Sequence, residues 1–120
     1  MYLVRNREEL ARILKAYKLA IFQYYDSGNS MSRETRELTY AFHKLSDRMS
    51  SRLDVFTGRI DVSKPEFKGS VKHVPMIRVY LDGKVIFEQY GGFGDSEIDY
   101  YVLTRSIMNV LEKINAGIKF

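Results

Sequence analysis

Few residues in this chain are equipped for chemistry, and most of them fall together. Asp26-Ser27-Gly28-Asn29-Ser30 places one acid and two hydroxyls within five positions. A serine hydroxyl becomes a nucleophile only when a base within hydrogen-bond reach takes its proton. The chain has two histidines, His43 and His73, to supply that base. A set of Ser27, His73 and Asp26 would support acyl transfer if the three met in space. The weightier reading is that Asp26 and Ser27, adjacent in sequence, are turn and helix-cap residues, with His73 on an exposed loop. No catalytic residue is therefore assigned.

Other chemistries are excluded more firmly. The chain contains no cysteine, which removes disulfides, thiol catalysis and thiolate-bound metals. Two histidines thirty positions apart give little support to a transition-metal site, so no metal and no cofactor are expected. Gly91-Gly92-Phe93-Gly94 resembles a phosphate loop only in glycine content. It lacks the Gly-Lys-Ser/Thr ending and the dinucleotide spacing, and Asp95 would repel an anion from the start of the following helix. Flexible glycines between a strand and a helix are the better reading.

Charge and length narrow the remaining classes. Residues 1–60 carry 11 Lys and Arg against 7 Asp and Glu, whereas residues 61–120 carry 8 of each. Acids interleave with the bases, so solvated helix faces explain the asymmetry better than a nucleic-acid surface does. Arg5, Arg7, Glu8 and Glu9 interrupt the N-terminus, which is not expected to be a secretory signal. No apolar run approaches the ~20 residues that span a bilayer. The expectation is a cytoplasmic, single-domain chain over residues 1–120, with neither membrane nor nucleic acid as a partner.

The elements that must position these residues are read from periodicity. Tyr2-Leu3-Val4 is a short strand candidate. Asn6 resembles an N-cap with Glu9 reaching back to it, and Leu10, Ile13, Leu14 and Tyr17 make residues 7–17 an amphipathic helix. Leu19 to Tyr24 is a buried strand. Met31, Thr35, Leu38, Phe42, Leu45 and Met49 alternate steps of four and three, the stripe of a long core-facing helix. Asp54 to Val62 is a strand, and Ser63-Lys64-Pro65-Glu66 opens a short helix. Met76–Leu81 and Val85–Gln89 flank Asp82-Gly83, a hairpin turn. Asp95 or Ser96 caps a last helix, with its stripe at Tyr100, Leu103, Ile107, Val110, Leu111 and Ile114 and a stop at Gly117. The order β-α-β-α-β-(short α)-β-β-α predicts an α/β protein whose sheet is mixed, with helices on both faces.

In this order the chain resembles the thioredoxin-like family over essentially its whole length. Ile21-Phe22-Gln23-Tyr24-Tyr25-Asp26 leads into Ser27-Gly28-Asn29-Ser30, with serines where both cysteines of that family's Cys-x-x-Cys would fall. Ile60-Asp61 matches the end of its third strand, and Val74-Pro75-Met76 its cis-proline at the head of the fourth. Asp82-Gly83-Lys84 and a later glycine, Gly91 or Gly92, match its closing hairpin and loop. The resemblance implies a three-layer α/β/α fold around a mixed five-stranded sheet.

It also implies what has been lost. A thiolate is both nucleophile and leaving group in disulfide exchange, and serine does neither job at neutral pH. Ile21 stands where many thioredoxins carry a buried acid, Thr35 where a proline bends the long helix, and Asp26 where a tryptophan precedes the first cysteine. Ser27 and Ser30 are vestigial active-site positions on this reading. The implied function is a redox-inert module that grips an extended peptide or protein segment beside Pro75. Its groove is formed by Tyr25, Asp26, Ser27, Gly28, Asn29, Ser30, His73, Val74, Pro75, Gly91, Gly92 and Phe93. Tyr25 and Phe93 are its expected exposed aromatic walls. A homodimer is compatible with the same surface. The alternative is a thiol–disulfide oxidoreductase whose two active-site cysteines have been replaced by serine; nucleic-acid binding is the weaker third.

Overall fold

The structure, a computed structural model, describes residues 1–28 and 32–118. Asn29, Ser30 and Met31, named above for the groove and the long helix, lie outside the described residues. The chain runs through α1 (Arg7–Ala16), β1 (Leu19–Tyr25), α2 (Arg33–Met49), β2 (Val55–Asp61), a single 3-10 turn (Pro65–Phe67), β3 (Met76–Leu81), β4 (Lys84–Tyr90) and α3 (Ser96–Lys113). The strands form one sheet in the order β2-β1-β3-β4. β1 pairs parallel with β2, and the other two pairings are antiparallel.

Alternation along β1 divides the core. Leu19 and Ile21 face α2 and α3, where they meet Leu38, Phe42, Leu45, Leu103 and Ile107. Ala20, Phe22 and Tyr24 face α1 and the 3-10 turn, among Ile13, Ile60 and Phe67. Every β1 residue is buried, as a central strand covered on both faces must be. The helix stripes do what their spacing requires: Leu38, Ala41, Phe42, Leu45 and Met49 are the buried residues of α2.

The expected fifth strand is absent among the described residues, so the mixed sheet has four strands. Leu3 makes only an isolated parallel bridge to Arg59, supported by Val4 N–H to Arg59 O at 2.9 Å and Arg59 N–H to Tyr2 O at 2.8 Å. The ladder stops there because the next amide, Arg5, turns away and donates to Glu9 Oε1 at 2.7 Å. Asn6 then accepts from Glu9 N–H at 2.8 Å and begins α1. The Glu9 carboxylate thus reaches back to Arg5 rather than to Asn6, and also takes the Arg5 guanidinium and the Tyr2 hydroxyl. These hydrogen bonds, those from Arg5 first, hold its pKa down at about 2.

Several boundaries also shift. α2 begins at Arg33 because Ser32 caps it, its hydroxyl accepting from Thr35 N–H at 3.1 Å. Asp95 caps α3 through Glu97 N–H and Ile98 N–H. α3 ends before Gly117: Asn115 takes the left-handed conformation (φ 59°) first, which leaves Ile114 exposed and outside the stripe assigned to it. In the hairpin, Asp82 and Gly83 have φ of 50° and 79°, the backbone that a two-residue turn between twisted strands demands.

Candidate functional site

The topology collects four chain segments at one end of the sheet. β1 and β2 run parallel and finish side by side, with Tyr25 opposite Asp61. β3 runs the other way and starts there, Met76 lying opposite both Tyr24 and Tyr90. The turn after β1, the loop before β3 and the loop after β4 are therefore neighbours, with Pro75 between the outer two. The Val74–Pro75 peptide is cis, and Pro75 O accepts from Gly91 N–H at 2.8 Å.

On the β2 side Ser27, Gly28 and Ser63 are tied down. Asp61 is buried and accepts from Ser27 N–H (3.2 Å), the Ser27 hydroxyl, Ser63 N–H (3.0 Å) and the Ser63 hydroxyl (2.7 Å). Burial alone would push the Asp61 carboxyl up, but these hydrogen bonds together hold it below its ordinary value. A carboxylate that holds a proton so poorly is a weak base, so Ser27 is anchored rather than activated. Asp26 accepts from Gly28 N–H at 2.8 Å and closes the turn. Tyr25 is 9% exposed, a buried residue rather than a groove wall. Its ring lies 3.8 Å from the Arg59 guanidinium, which donates to Gln23 Oε1 at 3.0 Å. Gln23 in turn donates to Thr39 Oγ1 at 2.9 Å.

On the β4 side a surface opens. A groove of about 790 Å³ is lined by residues 69–76 with Arg78, Tyr90 and Gly91. Val74 is 41% exposed and Tyr90 59%. The His73 ring meets the Tyr90 ring edge-on at 5.8 Å. His73 and Ser27 are thus engaged on opposite sides of Pro75, and the Ser-His-acid set is not assembled. Among the described residues, the backbone of Val71, Lys72, His73 and Val74 makes no hydrogen bond. Beneath, Arg78 donates to Glu88 Oε2 at 2.6 Å, and Tyr90 OH donates to Glu88 Oε1 at 2.7 Å.

The glycine loop is braced by acids. Gly92 N–H donates to Glu34 Oε2 at 3.1 Å and Phe93 N–H to Asp99 Oδ1 at 2.7 Å. The amides a phosphate would need are already occupied. Asp99 is fully buried, and burial raises its carboxyl above the ordinary range. A side chain at Gly91 (φ 73°) would bring its Cβ to 2.8 Å from Glu34 Oε2. Gly92 and Phe93, the latter 64% exposed, line a smaller adjoining cleft with Tyr90 and Val102.

Of the sequence-named residues, His73, Val74, Pro75 and Gly91 line the main groove, and Gly92 and Phe93 the cleft beside it. Tyr25, Asp26, Ser27 and Gly28 line neither. Tyr90, Lys72 and Val71 were missed. Tyr90 was legible as the residue that ends β4 before two glycines, where its register partner is Met76, next to Pro75. Among the described residues, no three His, Cys, Asp or Glu side chains gather as metal ligands would, and no helix is long and apolar enough to cross a membrane.

Comparison with solved structures decides the fold. The chain superposes on Plasmodium falciparum thioredoxin with a TM-score of 0.69 at 15% identity, covering 91% of this chain and 98% of that one. The fold is thioredoxin-like. Mitochondrial thioredoxin 3 from Saccharomyces cerevisiae gives a TM-score of 0.69 at 17% identity, with 91% and 94% covered. Fasciola hepatica thioredoxin gives 0.63 at 18%, with 88% and 98% covered. No family model matches the chain, and neither does any curated protein. The thioredoxin-like fold is thus carried by a sequence that shares at most 18% identity with these structures and contains no cysteine.

Proposed function

We propose that this thioredoxin-like protein is a redox-inert binding module that holds an extended peptide or protein segment in the groove between residues 71–74 and Tyr90. The observation that carries this reading is the run of unbonded backbone from Val71 to Val74 beside an exposed aromatic ring. Polar backbone groups held at the end of a rigid sheet can pair with an added extended chain, while neighbouring side chains supply selectivity. Tyr90 is suited to anchor such a segment, since its ring is exposed while its hydroxyl is already satisfied by Glu88. The absence of cysteine supports inertness, as does the docking of Ser27 on Asp61.

Selection from a displayed library of random dodecapeptides tests the reading. The native chain is expected to enrich peptides that Tyr90→Ala fails to retain. Enriched peptides that bind Tyr90→Ala and the native chain equally would contradict it.

A second reading rests on the coincidence of two serines at the positions where thioredoxins carry cysteines. On that reading the natural coding sequence specifies cysteine at 27 and 30, and sequencing it settles the matter.

A further inference from the structure

The groove has a charged rim that its shape alone does not require, and we propose that its partner is an acidic extended segment. On this proposal, carboxylates flank an apolar or aromatic side chain that packs against Tyr90 and Val74. The inference rests on the binding reading above and adds the chemical class of the partner.

The segment from Val62 to Pro75 carries Lys64, Lys68 and Lys72 against the single acid Glu66. All three lysines are exposed, and among the described residues none is engaged in an ion pair. Lys72 and His73 stand on the groove itself. α1 adds a fourth cation: Arg7 donates to Ser70 Oγ at 3.4 Å, with its guanidinium 6.0 Å from the Phe67 ring. Lys72 thus stands on the groove, Lys68 directly precedes its first lining residue, Gly69, and Arg7 reaches it through Ser70, so that three cations from loop and helix border one side.

The acid nearest the groove floor does not offset them. Glu88 is neutralised by Arg78 at 2.6 Å. Apart from Glu66, which shares the basic segment, the carboxylates of this end lie elsewhere: Asp26 and Asp61 beyond Pro75, and Glu34, Asp95 and Asp99 around Gly91–Gly94, where they outnumber Arg33, which donates to Gly94 O at 3.1 Å. The groove therefore separates a positive rim from a negative flank. Complementarity of this kind steers association and rejects the wrong partner more than it adds raw affinity. An acidic segment finds Lys68, Lys72 and Arg7. A phosphate backbone long enough to use all three would be repelled where it leaves the groove, past the acids bracing the glycine loop.

The dodecapeptide selection supplies the test, followed by titration of synthetic copies of the enriched peptides. The expected result is enrichment of Asp and Glu flanking an aromatic or aliphatic residue. Affinity should fall about tenfold in the Lys68→Glu/Lys72→Glu variant, as expected for two reversed rim charges. It should recover when the peptide's carboxylates are replaced by lysines, and it should weaken with added salt. Enriched peptides that are neutral or basic yet still need Tyr90 would overturn the acidic partner and leave the binding groove standing. Peptides indifferent to Tyr90, or no enrichment at all, would overturn both. A mixed-sequence single-stranded oligonucleotide that binds the native chain more tightly than the enriched peptides, with the same dependence on Lys68 and Lys72, would replace the acidic peptide with nucleic acid.

Discussion

Two loops leave the same end of the sheet on either side of Pro75, and they are built in opposite ways. The start of the turn after β1 is bonded down: Asp61 takes both the amide and the hydroxyl of Ser27, and Ser63 fills its remaining capacity. The loop before β3 leaves the backbone of Val71–Val74 without partners among the described residues, beside Tyr90. Ser27 and Gly28 are themselves exposed, so the contrast lies in bonding and not in access. One end of a single sheet thus carries both a braced loop and an open one. Fold similarity says nothing about which of the two a chain retains.

Breaking the closed side should be costly in stability. Asp61→Ala removes a buried carboxylate that accepts four hydrogen bonds from Ser27 and Ser63, for a loss of about 3 kcal/mol in denaturant unfolding. A loss near zero would mean that the turn is not clamped as described. Tyr25→Ala belongs to the same side: it deletes a buried ring from against Arg59 and should cost about 3 kcal/mol as well. That reverses the expectation, drawn from sequence, of an exposed aromatic wall at Tyr25.

Breaking the open side should do the opposite. Tyr90→Ala should reduce affinity for a selected peptide by about 2 kcal/mol while shifting the unfolding midpoint little, since the ring is largely exposed. Gly91→Ala sits between these extremes. Its positive φ and the approach to Glu34 should cost about 1 kcal/mol of stability, and the Gly91–Pro75 link should carry part of that disturbance into the groove.

Two smaller effects sharpen the contrast. In the Ser27→Cys/Ser30→Cys double variant, the thiol at position 27 replaces a hydroxyl that rests on the Asp61 carboxylate. That charge should raise its pKa above the ordinary ~8.5, measured by the pH dependence of alkylation. A pKa below 8 would mean that the Asp61 carboxylate does not face the thiol. Away from both loops, Glu9 is held at about 2 by Arg5 and Tyr2. Because its folded pKa is depressed, its contribution to stability is complete above the ordinary glutamate range and is lost as pH falls from there through about 2. Glu9→Gln should remove that part of the acid sensitivity.

Much of this was legible in the sequence. Helix stripes such as Leu38, Phe42 and Leu45 have one physical solution, and Asp82-Gly83 has one turn. The N-terminal strand failed because pattern alone does not reveal that the Arg5 amide is diverted to Glu9. Tyr25 was misplaced because strand alternation says which face a residue takes, not whether an arginine on the next strand covers it. Asp61 was seen as part of a motif, but its four donors come from two loops that meet only through the parallel β1–β2 pairing. Lys68 and Lys72 escaped notice because charge counted over half-chains hides a short basic loop in a balanced half.

A segment held in the groove must pair with the backbone of residues 71–74, which amide hydrogen exchange reads residue by residue. In the free protein the amides of Val71, Lys72, His73 and Val74 should exchange rapidly while Ser27, bonded to Asp61, is protected. Saturation with a selected acidic peptide should slow exchange at 71–74 and leave Ser27 unchanged. Protection that appears at Ser27 or on α2 instead, with 71–74 unaltered, would contradict the assignment of the binding groove.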